Sequence, residues 1–484
     1  MKIATLAAAG MAIALAMTAS SPATAHVPPA PERIGWQSCT QQDLAGLDCG
    51  TLRVPVDWTR PRSGETELSL VRRKAGDQAH RIGSLLLNDV AGGSSIEQLG
   101  YALQFGVGNS AMAQRFDLVA VDPRGVGHSD PTTCAGRPQR GPGVTYFPRS
   151  EAQFEVLEAN NRALAASCGK SQQALLAHLD IVSAARDVEA VRVGLGERQV
   201  SWYGIGYSTL LGKTYAQLYP GRLRTMIADS ALADNLSPLD RLTTEIRTAE
   251  ESFDRFADWC RTQTTGTCAL AGQDVAGLFD RLVAEADRHP IPTSDSRRAL
   301  SGEDIRAAVQ DYLNIRFPQW PRLATAILAA LNGDASAFTV VQDKTLNRVE
   351  AQTHACLDTP PVATSYRQLD QLERLAAQLS PHLGGAVAGW TTMAGCLGWP
   401  VPADRPHTTP ARGAPPALII QSTHQSSTAY TWALGLSRQL PGSVVLTRDG
   451  DDYSMFLFSA CVQNAMNDYL IDRELPARGT ICTD

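Results

Sequence analysis

The stretch WYGIGYSTLLG, residues 202–212, joins two different apolar patterns within a short length of chain. Its first part belongs to Gln199–Ile205 (QVSWYGI), which is rich in β-branched and aromatic residues, as is typical of a buried strand. Its second part belongs to Tyr207–Leu218, which has helical spacing and ends before a Pro-Gly pair that stops a helix. The stretch therefore predicts a strand that passes through a sharp turn at Gly206 into a helix.

The same alternation of strand and helix recurs on both sides of this turn. Further helical spacing covers Gln172–Leu195 and Ala460–Leu470. Further strands are predicted at Glu67–Lys74, Ser84–Asn88, Phe116–Asp122, Leu223–Ala228, Ala417–Gln421 and Ser443–Arg448. Strands that are apolar on both faces and alternate with helices indicate a mostly parallel sheet covered by helices.

The pattern changes between residues 235 and 400, where helical spacing continues and strand signals disappear. We expect residues 26–234 to form the first part of the core and 235–400 a helical cap. A Pro-rich connector, 401–416, then leads to the second part of the core, 417–484. A sheet interrupted by a helical cap after its sixth strand is the α/β-hydrolase arrangement.

The composition excludes several classes of protein. The chain has 484 residues and a net charge of −6, so it offers no basic surface for nucleic acid. No C-x-x-C spacing is present, which disfavours zinc and redox sites. We expect a monomer with no metal, no organic cofactor and no stable insertion in a membrane.

The first residues predict export. Lys2 precedes an apolar run, and Ala23-Thr24-Ala25 is typical of a cleavage site. We therefore interpret residues 1–25 as a signal peptide and expect a secreted protein whose mature chain starts near His26. Ten cysteines agree with export and favour disulfides, although sequence alone leaves their connectivity open. The simplest pairing is local: Cys39 with Cys49, Cys134 with Cys168, Cys260 with Cys268, Cys356 with Cys396, and Cys461 with Cys482.

Several motifs, in order, resemble secreted actinobacterial tripeptidyl aminopeptidases and related α/β-hydrolases with a TAP-like C-terminal segment. The motifs are CTQQDLAGLDCGTLRVPVDWTRP (39–61), FDLVAVDPRGVGHSD (116–130), SAARDVEAVRVGLG (183–196), CLGWP (396–400) and SACVQNAMNDYLIDRELPARGTIC (459–482). The resemblance implies an α/β-hydrolase fold and a Ser-Asp-His triad that cleaves short peptides or esters.

The same resemblance places different residues at each triad position. The nucleophile position falls on Gly206, the acid position on Gln425 within QSTHQSST, and the histidine position on Tyr453 within DGDDYS. The oxyanion loop is also altered. It corresponds to residues 88–93, and we expect the ligand pocket to involve Val90, Ala91, Gly92, Tyr207 and Ser208.

These replacements remove the chemistry of acyl transfer. Glycine has no nucleophile, tyrosine with a pKa near 10 is a poor base, and glutamine carries no charge to stabilise an imidazolium. Ser208 with His424 as its base is one way in which the chemistry could have moved, although helix capping explains Ser208 more simply. Other polar residues near the turns are Thr209, His128, Asp229, Asp451 and Asp452.

Three functions remain open at this point. A repurposed enzyme would use Tyr453, Gln425, His424 and Asp452 to steer cyclisation, elimination or isomerisation, and this interpretation is slightly favoured because the scaffold is kept. The alternative is a pseudoenzyme that binds a small molecule or peptide without transforming it. The second alternative is an aminopeptidase or esterase with a relocated nucleophile.

Overall fold

The computed structural model describes residues 33–88, 93–132, 140–141, 143–168, 170–232, 235–295, 298–339, 349–359, 361–400, 409–453 and 455–484. The strands are β1 Gln37–Ser38, β2 Asp48–Pro55, β3 Glu65–Arg73, β4 Gly83–Asn88, β5 Phe116–Val121, β6 Val200–Ile205, β7 Leu223–Asp229, β8 Ile291–Pro292, β9 Ala299–Leu300, β10 Leu418–Ser422, β11 Val444–Arg448 and β12 Ile481–Cys482.

The helices before the middle of the chain are α1 Ser95–Gln104, α2 Ala111–Arg115, α3 Glu151–Ala166, α4 Lys170–Leu176, α5 Ile181–Gly194, α6 Tyr207–Leu218 and α7 Pro238–Arg261. Those that follow are α8 Val275–Arg288, α9 Gly302–Leu313, α10 Arg316–Leu331, α11 Val349–Asp358, α12 Tyr366–Leu379, α13 Ala388–Gly395, α14 Tyr430–Gln439 and α15 Ala460–Asp472. No helix among the described residues is both long enough and apolar enough to cross a membrane.

Ten strands form one sheet in the order β1-β2-β3-β5-β4-β6-β7-β10-β11-β12. The pairs β1–β2, β2–β3 and β3–β5 are antiparallel, and every pair from β5 to β12 is parallel. This mostly parallel sheet, with helices around it, confirms the predicted α/β-hydrolase fold.

The sheet order brings the turns of interest together. Strand β6 pairs with β7, β7 pairs with β10, and β10 pairs with β11, all in parallel. Carboxyl ends of parallel strands lie at the same edge of a sheet, which is where open α/β sheets place their ligands. The turns after β6, β7, β10 and β11 are therefore neighbours.

Between β7 and β10 the described chain forms helices α7–α13 and the short hairpin β8–β9. We call residues 235–400 the cap. Its helices bury their own aromatic core, which includes Phe253, Phe256, Trp320 and Trp390. The disulfides Cys260–Cys268 and Cys356–Cys396 lie within it.

Two more of the predicted pairs, Cys39–Cys49 and Cys461–Cys482, are disulfides in the sheet domain. Cys168 is also disulfide-bonded, and Cys134, with which it was predicted to pair, lies outside the described residues. No cysteine in the described part of the chain is free. The predicted signal peptide, residues 1–25, and the connector residues 401–408 likewise lie outside it.

The predicted strands outside the cap occur within about two residues of their expected bounds, and helix Tyr207–Leu218 is confirmed at both ends. The helical stretch expected over Gln172–Leu195 is instead two helices, α4 Lys170–Leu176 and α5 Ile181–Gly194, separated by a turn. Sequence periodicity missed β1, β2 and β12, and also the hairpin β8–β9. Besides β2, the four missed strands are each two residues long, too short for alternation to be recognised.

Candidate functional site

The turn between β6 and α6 has the sharp geometry that a nucleophile elbow requires. Gly206 at its apex has φ 56° and ψ −121°, a conformation that glycine adopts easily and other residues adopt under strain. Its N–H donates to the carbonyl of Asp229 (3.0 Å), and its carbonyl accepts from the hydroxyl of Thr209 (2.6 Å). The turn is therefore held from both sides, and its apex carries no side chain.

Two other glycines allow α6 to lie close to β6. A Cβ on Gly204 would come within 2.6 Å of the Ser208 carbonyl oxygen and of Trp202 Nε1. A Cβ on Gly212 would come within 2.4 Å of the same indole nitrogen. Glycine at these two positions therefore serves packing around the fully buried Trp202 rather than chemistry.

The turn after β10 holds Gln425, which is fully buried. Its Nε2 donates to Asn314 Oδ1 (2.8 Å) at the end of α9 and to Ser427 Oγ (2.9 Å). Its Oε1 accepts from Ser427 N (2.8 Å) and from both the N–H and the hydroxyl of Thr428. The amide therefore holds its own turn and joins it to the cap.

Asn314 is the residue on which this turn converges. Besides Gln425, Ser426 Oγ (2.7 Å) and Ser427 Oγ (2.9 Å) donate to its Oδ1. Its carbonyl accepts from the N–H of Tyr453 (2.8 Å) in the turn after β11. One cap residue thus binds both the turn after β10 and the turn after β11.

The turn after β11 has further contacts to the cap. Asp452 Oδ1 accepts from the N–H of Arg316 (2.9 Å), and burial raises the pKa of this carboxyl. Asp451 is 1% exposed and pairs with Arg255 (2.6 Å). Tyr453 itself is half-buried.

Ser208 and His424, the nucleophile and base of a relocated hydrolase, contact different parts of the molecule. Ser208 is 2% exposed inside the first turn of α6. His424 Nδ1 lies 2.9 Å from Glu251 Oε1 on cap helix α7. Ser208 is not accessible to a substrate, and His424 is directed to the cap surface.

Two carboxylates lie next to the elbow. Asp229, fully buried at the end of β7, accepts from the hydroxyls of Tyr203 (3.0 Å) and Ser230 (3.1 Å). Asp358 at the end of α11 accepts from the hydroxyl of Tyr207, the residue after the apex, and from the N–H of Ile181 (3.0 Å). The elbow helix is thus tied to the cap at its first residue.

Sequence reasoning did not find Asn314 or Asp358, because neither lies in a motif and both act through contacts that are distant in the chain. His128 does not reach the site, since its ring bonds to Asp122 (3.0 Å) in the turn after β5. Val90, Ala91 and Gly92 lie outside the described residues.

A group of metal-ligating types occurs in the cap, formed by Glu250, Asp254 and His382. The oxygens of buried Glu250 already accept from Ser380 Oγ (2.7 Å) and from the N–H of His382 (2.8 Å). His382 Nδ1 lies 2.8 Å from Asp280 Oδ1. These contacts show that the group stabilises the turn at residues 380–383.

The fold and the elbow turn define the class of the protein as an α/β-hydrolase. A family model described as "alpha/beta hydrolase fold" matches residues 92–285, and one described as "TAP-like protein" matches residues 381–482.

Relatives match over nearly the whole length. A protein from Mycobacterium tuberculosis named carboxylesterase B is 30% identical, covering 97% of this chain and 94% of the relative. Serine protease Hip1 of the same species is 29% identical, covering 93% of this chain and 91% of the relative. Tripeptidyl aminopeptidase of Streptomyces lividans is 26% identical, covering 93% of this chain and 86% of the relative. The chain therefore belongs to the TAP-like α/β-hydrolase family.

Proposed function

We propose that this chain is a non-hydrolysing member of its family that binds a small molecule or peptide beneath the cap. One observation carries the proposal: the elbow keeps its backbone geometry while its apex is Gly206, which has no nucleophile. The names of the relatives, a serine protease, a carboxylesterase and an aminopeptidase, support peptides or esters as the class of ligand.

The contacts of the other two turns favour binding over a repurposed reaction. A repurposed catalyst needs polar groups that converge on one cavity and are available to a substrate. Here the Gln425 amide is hydrogen-bonded to Asn314 and to its own turn. His424 lies beside Glu251. Asp452 accepts a hydrogen bond from the N–H of Arg316. These groups support attachment of the cap.

The burial of Ser208 argues against the remaining alternative, a hydrolase with a relocated nucleophile. A serine at 2% exposure inside a helix cannot approach a scissile carbonyl unless the helix moves.

Secretion is part of the proposal as well. The disulfides of both the sheet domain and the cap support an oxidising compartment.

The proposal is tested by fluorophosphonate labelling of the purified protein, read by intact mass, beside calorimetric binding of a tripeptide p-nitroanilide. We expect no adduct, no release of nitroaniline, and measurable binding. An adduct would overturn the loss of hydrolysis, and its position would identify the nucleophile. Absence of both adduct and binding would overturn the proposed ligand class.

A gain-of-function series tests the positions assigned to the triad. Gly206→Ser alone should remain unlabelled, because no histidine or acid activates the serine. The triple variant Gly206→Ser, Gln425→Asp, Tyr453→His should take up the label. Gly206→Ala is the matched control, since it adds a Cβ at the same strained position without a nucleophile. An unlabelled but folded triple variant would contradict the assignment.

A further inference from the structure

A cavity lies where helices of the cap meet residues 145–153, and no residue of the elbow lines it. It has a volume of about 420 Å³ and is lined by residues from α3 and the segment before it, from α8, α9 and α12, and from the turn that follows α12. This volume is within the range of small-molecule sites. Its described lining residues include none from the turns after β6, β10 or β11.

Most of the charges around the cavity are already paired. Glu303 accepts from Arg140 Nη1 (2.6 Å), from the hydroxyl of Thr145 (2.6 Å) and from the N–H of Tyr146 (3.0 Å). Asp287 pairs with Arg306 (3.2 Å). These groups form a hydrogen-bonded wall.

Two opposite charges remain beside the cavity. Glu373 lines it, and the Oε1 of this side chain is buried without a hydrogen-bond partner. Burial, with Asp370 and Glu303 nearby, raises the pKa of Glu373 to about 7, whereas Arg149 acts in the opposite direction. Arg149 also lines the cavity and is exposed.

The remaining wall is apolar and rigid. Phe147, Ala377, Leu383 and Ala386 line the cavity. Phe147 is stacked on Trp390, with ring centroids 4.7 Å apart and the planes 4° from parallel. A site that combines a fixed aromatic wall with a few charged groups is suited to a ligand with an apolar side chain and charged ends.

We propose that this cavity binds a zwitterion, an α-amino acid or short peptide, with its ammonium group on Glu373 and its carboxylate on Arg149. A carboxylate only accepts hydrogen bonds and so binds the donors of an ammonium group, and a guanidinium binds a carboxylate through two parallel hydrogen bonds. The apolar wall around Phe147 receives the ligand side chain. This site is separate from the ligand site proposed beneath the cap at Gly206.

The test is calorimetry of the full-length protein with L-leucine and the dipeptide Leu-Leu, beside L-leucinamide and N-acetyl-L-leucine. At least one zwitterion should bind at least tenfold more tightly than either capped compound. Glu373→Gln should weaken that zwitterion at least tenfold, and Arg149→Gln should do the same. Glu373→Gln should leave the affinity for N-acetyl-L-leucine unchanged, because this compound has no ammonium group. Arg149→Gln should leave the affinity for L-leucinamide unchanged, because this compound has no carboxylate.

Arg374→Gln is the matched control, because this guanidinium is on the same helix and pairs with Asp370 (2.6 Å) outside the cavity lining. Because Arg374 acts on Glu373 only through space, its substitution should weaken the zwitterion much less than Glu373→Gln does. The proposal is overturned if neither zwitterion binds at millimolar concentration, or if folded Glu373→Gln and Arg149→Gln proteins keep full affinity. The fluorophosphonate experiment is independent, since neither substitution touches the elbow.

Discussion

The turn after β6 differs from the turns after β10 and β11 in what fixes its backbone. The first is fixed by the packing of α6 on the sheet, through Gly204, Gly212 and Trp202. The other two are fixed by side-chain contacts to the cap, through Asn314 and Arg316. Packing on the sheet thus holds the first turn without any side chain at its apex, whereas the side chains of Gln425 and Asp452 hold the other two turns to the cap.

The largest expected effect follows from the packing of the elbow. Gly204→Ala forces a Cβ against a backbone carbonyl and an indole ring, and overpacking of this kind costs about 3 kcal/mol. Gly206→Ala meets backbone strain and should cost about 1–2 kcal/mol. Urea unfolding of both variants measures the difference. Equal losses would show that packing at Gly204 does not determine the turn.

The second effect tests the other two turns. Asn314→Ala removes the acceptor shared by Gln425, Ser426 and Ser427 and should lower the free energy of unfolding by about 2 kcal/mol. It should also increase hydrogen exchange in residues 422–428 but not at Tyr453, whose N–H keeps the backbone carbonyl of residue 314 as its acceptor. The control is Asn332→Ala, which removes an exposed side-chain contact to Leu328 O within α10 and should have little effect. Unchanged exchange in residues 422–428 would contradict the proposed attachment.

The sequence predicted the elbow well because a strand, a turn and a helix are local patterns. Tyr207–Leu218 and the strand before it needed only periodicity and a helix stop. The contact between Gln425 and Asn314 joins residues 111 positions apart, and no local pattern encodes it. The sequence thus predicted the strand, the turn and the helix around Gly206, while the partners of Gln425 depended on how the cap packs.

A third effect, on the pH dependence of stability, concerns Glu373 in the cavity rather than the turns after β6, β10 and β11. Because the pKa of Glu373 is raised to about 7, the folded state holds a proton there that the unfolded chain has lost above its ordinary pKa. Stability contributed by protonated Glu373 is therefore lost as pH rises towards 7. Glu373→Gln should be stabilising relative to the natural protein at pH 8, by more than at pH 5, in urea unfolding.

The groups that face Glu373 are Asp370, Glu303, Arg149 and Arg374. Arg374→Gln provides the control for general charge effects on α12, and it should not reproduce the gain at pH 8. A pH-independent difference between Glu373→Gln and the natural protein would show that the carboxylate is not desolvated.

The smallest effect concerns the cap contact at the surface. His424 pairs with Glu251, whose side chain is 59% exposed, and pairs of this kind contribute about 0–1 kcal/mol. Glu251→Gln should therefore change the free energy of unfolding much less than Asn314→Ala, although both residues join the turn after β10 to the cap. If Glu251→Gln instead matched Asn314→Ala, the attachment would be electrostatic and would weaken with salt. Unfolding at low and high ionic strength distinguishes these cases, because the hydrogen bonds of buried Gln425 to Asn314 are insensitive to screening.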